Sequence, residues 1–126
     1  MKVFVLLGSI FGLLSVATGA FGAHALANKV EPRMLDVWET AAQYQMYHAL
    51  ALFAAAWLVH HTNSTVSLVA GWSFAVGIVV FSGSLYVMVL SGIRALGAIT
   101  PIGGLAMMVG WFCCLLAALK LEGIAS

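Results

Sequence analysis

The sequence predicts an all-α integral membrane bundle of four transmembrane helices. Three observations predict it: a composition too apolar for a water-soluble exterior, charges confined to the ends of long apolar stretches, and stretch lengths that match a hydrocarbon core. Of 126 residues, 63% are hydrophobic and 7% charged. A soluble domain of this size needs a polar coat on every side, so lipid must take the place of water around this one. The five basic and four acidic residues, Lys2, Lys29, Glu31, Arg33, Asp36, Glu39, Arg94, Lys120 and Glu122, fall between or at the ends of four apolar stretches and never inside one. A span needs about 20 apolar residues, and stretches at 3–27, 41–59, 66–90 and 101–121 supply them within one domain.

The first stretch begins after Lys2. Together with the Ala23, His24, Ala25 triplet it imitates a secretory signal peptide. The run is nevertheless long enough to cross a membrane, and it is expected to be retained as a helix. The second is introduced by Glu31 and Pro32, which can open a helix early and give an amphipathic turn or two along the membrane surface before the chain dives near Trp38. Trp38, Trp57 and Trp72 suit the membrane interface, where an indole ring meets lipid and its N–H meets water or headgroups. Trp111 lies too deep for that role. The third stretch has no Lys or Arg in the loop before it. The fourth is expected to start at Pro101, with Thr100 as its N-cap.

Small residues recur at spacings that let helices approach closely. Gly8 and Gly12 form a GxxxG pair continued by Ser15, Gly19 and Ala23, and Ser73 with Gly77 and Ala106 with Gly110 repeat the pattern. These stripes are read as helix-packing surfaces, within one chain or a homo-oligomer. Cys113 and Cys114 are adjacent in a span and are read as small hydrophobes. Basic residues number three on the side of the first and third loops (Lys29, Arg33, Arg94) and two at the termini (Lys2, Lys120), a slight lean toward external termini. There is no basic patch for nucleic acid.

Four antiparallel spans bring the end of the first helix, the start of the second, the end of the third and the start of the fourth into one leaflet. That leaflet collects His24, Glu39, Gln43, Tyr44, His48, Ser82, Ser84, Tyr86, Arg94 and Thr100. His48 follows Trp38 by ten residues, roughly 15 Å along a helix and near the midplane. A histidine at that depth needs a partner. On a helix Asp36, Glu39, Thr40, Gln43 and Tyr47 share one face, and His48 points nearly opposite Glu39. Tyr44, one turn earlier, can reach His48; its other partners must come from another helix, Ser82, Ser84 or Tyr86, while Glu39 is expected to pair with Arg94 or His24. The foremost reading of this set is structural, polar side chains bonding neighbouring helices. The alternative is a pocket for a lipid headgroup, quinone or small solute, lined by His24, Glu39, Tyr44 and His48. His24 and His48 as haem or metal ligands form a weak signal without thiolates or a carboxylate cluster, and nothing at recognisable spacing supplies an activated nucleophile or oxyanion site. No cofactor or metal is expected.

The segments GAFGAHAL (Gly19 to Leu26), WETAAQYQMYHALAL (Trp38 to Leu52), FSGSLY (Phe81 to Tyr86) and ITPIGG (Ile99 to Gly104) closely resemble a family of small inner-membrane proteins, the domain of unknown function four-two-three, with bacterial and animal members. The likeness covers nearly the whole chain. It implies a multi-pass protein of the bacterial cytoplasmic membrane, carries no assigned reaction or substrate, and links some members to membrane integrity. Its polar signature maps onto His24, Glu39, Gln43, Tyr44, His48, Ser82, Ser84, Tyr86 and Thr100. The expectation is a non-enzymatic membrane protein whose partners are the bilayer and either a second copy or another membrane protein.

Overall fold

A computed structural model describes residues 1–121. The described residues are helical throughout, with no strand: α1 (Lys2–Phe21), α2 (Pro32–Thr62), α3 (Thr65–Gly77), α4 (Gly83–Ser91) and α5 (Thr100–Ala118). A π-helical turn at Gly22–Leu26 extends α1, a second at Ile78–Ser82 joins α3 to α4 without a break, and a 3₁₀ turn at Arg94–Ala98 leads into α5. Four antiparallel rods result. Three of them, Lys2–Leu26, Thr65–Ser91 and Arg94–Ala118, are long and apolar enough to cross a membrane.

The second rod differs in kind. At 31 residues α2 is about 46 Å long by the helical rise, and Gln43, Tyr44, Gln45, Tyr47 and His48 dilute its apolar character. It is unbroken from Pro32, so the charged Arg33, Asp36 and Glu39 sit on the first turns of one continuous helix and not on a separate surface segment. α2 packs against α1, α3, α4 and α5, and that central position buries Gln45 and His48 against other helices while Gln43, Tyr44 and Tyr47 stay exposed.

Helix ends follow local chemistry. α2 stops at Asn63, which takes the left-handed conformation (φ 45°) and returns its N–H to Val59 O. Ser64 then caps α3 by accepting the Ser67 N–H at 3.3 Å. α4 stops at Gly92, φ 75°. Thr100 does not act as the N-cap of α5; the helix already includes it, and its hydroxyl lies 2.6 Å from Ser84 Oγ instead. The intervening 3₁₀ turn feeds the backbone into α5 and leaves that side chain free to tie two rods together.

The core is a layer of small residues interlocked with aromatics. Ala51, Ala55, Ala56, Ala70 and Ala75 surround the fully buried Phe4, Leu52 and Phe74. A Cβ on Gly8 would come within 2.9 Å of Ala49 O, which is how closely α1 lies on α2. Gly71 receives the Phe4 ring, Gly77 the Met107 side chain and Gly110 the Phe74 ring, so the stripes serve contacts within this chain. Gly103 faces the neighbour least able to yield, since its missing Cβ would overlap the Phe81 backbone. Gly19 is different, with nothing within 4 Å of an added Cβ.

Candidate functional site

Polar side chains meet inside the bundle in two groups. In the first, Gln45 of α2 is the hub. Its Nε2 donates to Phe11 O on α1 at 2.8 Å, and its Oε1 accepts from the Tyr86 hydroxyl of α4 at 2.7 Å. Tyr86 has a single hydrogen and gives it to Gln45, so Thr18 of α1 is the donor in the 2.9 Å contact between its Oγ1 and the Tyr86 oxygen. The Ser15 carbonyl, 3.1 Å from Thr18 Oγ1, competes for the same hydrogen. Trp38 covers this group. Its Nε1 donates to Thr18 O at 2.7 Å, its ring lies 4.6 Å from that of Tyr86, and its edge fills the space a side chain on Gly22 would need. Trp38 is 4% exposed, so the expectation of an interfacial tryptophan gives way to a buried one. Two further bonds reach backbone carbonyls of α2: Ser15 Oγ to Ala42 O and Ser82 Oγ to Ala41 O, both 2.7 Å.

The second group lies about midway along α2. His48 is buried beside Phe74 and Trp111. Trp111 Nε1 donates to His48 Nε2 at 3.0 Å, so that nitrogen is unprotonated, and Nδ1 carries the hydrogen that meets Tyr44 O at 2.8 Å. Both nitrogens are engaged in a neutral ring, and ligation through Nε2 requires breaking the tryptophan bond. The partner from another helix is therefore Trp111, on α5, and not Ser82, Ser84 or Tyr86. A groove of ≈ 570 Å³ between α2 and α5 runs past Tyr44, His48, Gly104, Met107 and Trp111.

The remaining sequence candidates scatter. His24, Glu39 and Gln43 are exposed, and Tyr44 is 41% exposed with its ring 4.9 Å from Phe81. Arg94 approaches Glu31, at 3.8 Å, and not Glu39; both partners are largely exposed, so the pair contributes little. Ser84 and Thr100 pair with each other. Among the described residues no three His, Cys, Asp or Glu side chains come close enough to hold a metal ion.

Gln45, Thr18, Ser15 and Trp111 were missed as polar partners in the sequence. For Gln45 a signal existed: Trp38, Ala41, Gln45, His48 and Leu52 recur at spacings of three and four on the buried face, opposite Glu39 and Gln43. Ser15 lies on the small-residue stripe of α1, which the sequence marks only as a packing surface, and Thr18 follows it by three residues.

Residues 18–104 match the family described as "Protein of unknown function (DUF423)". The chain is 50% identical over 121 residues to the UPF0382 membrane protein YwdK of Bacillus subtilis, covering 95% of this chain and 98% of that one. It is 49% identical to a UPF0382 membrane protein of Staphylococcus saprophyticus, over 96% of this chain and 100% of the relative. A Staphylococcus aureus relative, also named a UPF0382 membrane protein, is 46% identical over 98% of this chain and all of its own length. No solved structure matches. Three of its rods are long and apolar enough to cross a membrane, and the chain belongs to the DUF423 family of membrane proteins.

Proposed function

We propose that this is a four-span, multi-pass protein of the cytoplasmic membrane with a non-enzymatic role: a packed helical scaffold that supports membrane integrity or holds a second copy or another membrane protein. One observation carries the reading. Its buried polar side chains are occupied in binding its own helices together; among the described residues no buried side-chain nitrogen or oxygen lacks a hydrogen-bond partner. A catalytic site needs an activated group facing a substrate. Here the histidine at mid-depth is held by Trp111 and Tyr44, and the carboxylates Glu31, Asp36 and Glu39 are exposed at one end. Four spans are supported by the central placement of α2, which needs no lipid-compatible surface all round. Lys29, Arg33 and Arg94 at one end against Lys2 and Lys120 at the other favour cytoplasmic loops and external termini. A pocket shared by His24, Glu39, Tyr44 and His48 has less support, because His24 and Glu39 do not line the groove that holds the other two.

Deletion of the gene tests the scaffold reading. The expected result is raised entry of a membrane-impermeant dye, or loss of a complex that copurifies with the tagged chain after crosslinking in intact membranes, restored by the wild-type gene. Unchanged permeability together with a chain that crosslinks to nothing, itself included, overturns it.

A further inference from the structure

Buried polar side chains among the described residues are all partnered. The exterior of α2 is not. Gln43, Tyr44 and Tyr47 are exposed, and the Gln43 amide and both hydroxyls bond none of the described residues. Their depth follows from bonds made beside them. Ser15 Oγ reaches Ala42 O and Gln45 Nε2 reaches Phe11 O, and Phe11 and Ser15 flank the midpoint of the rod Lys2–Leu26. Gln43 is therefore level with the middle of a rod long enough to span, and Tyr47 lies one turn farther from the charged end. Water is absent at that depth and lipid chains offer neither donor nor acceptor, so an amide left bare there forgoes every hydrogen bond it makes in water.

The outward residues of α2 also form a seam. Thr40, Gln43, Tyr47, Leu50, Ala54 and Trp57 recur at alternating spacings of three and four, and none of them is buried. This is the heptad spacing by which two helices pack side by side at about 20°. A single polar residue in such a seam fixes register, because it has to meet another polar group at its own depth.

We infer that α2 pairs with α2 of a second copy in the same orientation, the two Gln43 side chains exchanging hydrogen bonds across a two-fold axis. A carboxamide carries a donor and an acceptor on one planar group, so it complements its own image. Each oxygen accepts from the other copy's nitrogen, and one contact satisfies both amides. Tyr47 and Leu50 add apolar contact along the seam, and Ala54 lets the helices close on each other. Asp36 and Glu39 lie toward the loop end of this face, where water and salt screen their repulsion. The inference rests on the four-span scaffold reading and names its partner.

The test places the full chain, labelled at Lys29→Cys in a Cys113→Ala, Cys114→Ala background, in phospholipid vesicles and follows energy transfer between donor- and acceptor-labelled copies as added lipid dilutes the protein. The chain with Gln43 is expected to dimerise, and Gln43→Leu to dimerise about tenfold more weakly, the loss of two interhelical hydrogen bonds. In the same cysteine-free background, Leu50→Cys is expected to give a disulfide-linked dimer on mild oxidation, and Leu13→Cys, exposed on α1, is not. A chain monomeric at every dilution overturns the inference, as does a Gln43→Leu variant that dimerises as tightly as its parent, or crosslinking at Leu13→Cys and not at Leu50→Cys. A monomer that still crosslinks to another protein in intact membranes overturns it and leaves the scaffold reading standing, whereas a chain that crosslinks to nothing overturns both. Should Gln43→Leu fail to fold, the Leu50→Cys crosslink in the chain that keeps Gln43 decides: a dimer supports the inference and its absence refutes it.

Discussion

Gly103→Ala is the substitution this fold tolerates least for its size. The added methyl overlaps the backbone nitrogen and Cα of Phe81, in the π turn that joins α3 to α4, and backbone cannot rotate away as a flexible side chain can. Relief requires α5 to retreat from Phe81 by about 1 Å to reach ordinary contact, and such a gap forfeits a quarter to a half of the dispersion energy of each atom pair it opens. The same retreat loosens Met107 from Gly77 and Gly110 from Phe74, because all three contacts lie along one helix pair. The cost is therefore expected at about 3 kcal/mol, the upper part of the range for overpacking a filled core. Gly19→Ala makes the same chemical change on α1, where nothing lies within 4 Å of the new methyl. It is expected to stay within about 0.5 kcal/mol of wild type, as surface substitutions do. Equilibrium unfolding in mixed micelles of dodecyl maltoside and sodium dodecyl sulfate measures both. A Gly103→Ala protein as stable as Gly19→Ala would refute close backbone approach as the organising contact between α5 and the third rod.

Other expectations follow from the same geometry. Trp111→Phe removes the donor to His48 Nε2 and leaves a buried acceptor unbonded; it is expected to cost about 1–3 kcal/mol, and a cycle with His48→Phe in the same unfolding assay should recover much of that as coupling. Tyr86→Phe deletes the link between Gln45 and Thr18, for about 1 kcal/mol, whereas Arg94→Ala should change stability by less than about 0.5 kcal/mol because its ion pair is exposed. For topology, single cysteines placed at Lys29 and Asn63 in a Cys113→Ala, Cys114→Ala background are expected to react with an impermeant maleimide from opposite sides of sealed vesicles. Labelling of both from one side would rule out α2 as a span.

The end-to-end order of the helices was legible in the sequence because charges are expelled from hydrocarbon and apolar runs have to match its thickness; the fourth rod, though, opens at Arg94 through its 3₁₀ turn, seven residues ahead of Pro101. The second was harder to read. A continuous helix from Pro32 looks like a surface segment followed by a span when seen as composition, since Arg33, Asp36 and Glu39 precede the apolar part. The candidate site was legible only in its ingredients. Periodicity separated His48 from Glu39, and the structure keeps them apart, one buried and one exposed. Helical periodicity likewise puts Gln43 on the Glu39 face, and the structure leaves it exposed while burying Gln45, three residues before His48.

Sequence by itself determined that this chain lives in lipid, that it forms helices of spanning length, and that small residues bring those helices close. These are local or compositional properties, set by solvation and by helical repeat. Only the tertiary structure decided who meets whom: that Trp38 is buried against Gly22 and Tyr86, that His48 faces Trp111, and that Gln45 links α1 to α4. Hydrogen-bond partners on separate helices depend on rotation and offset between rods to within an ångström or two. No pattern along a single helix encodes that, because it arises from the fit of one rod's surface into another's.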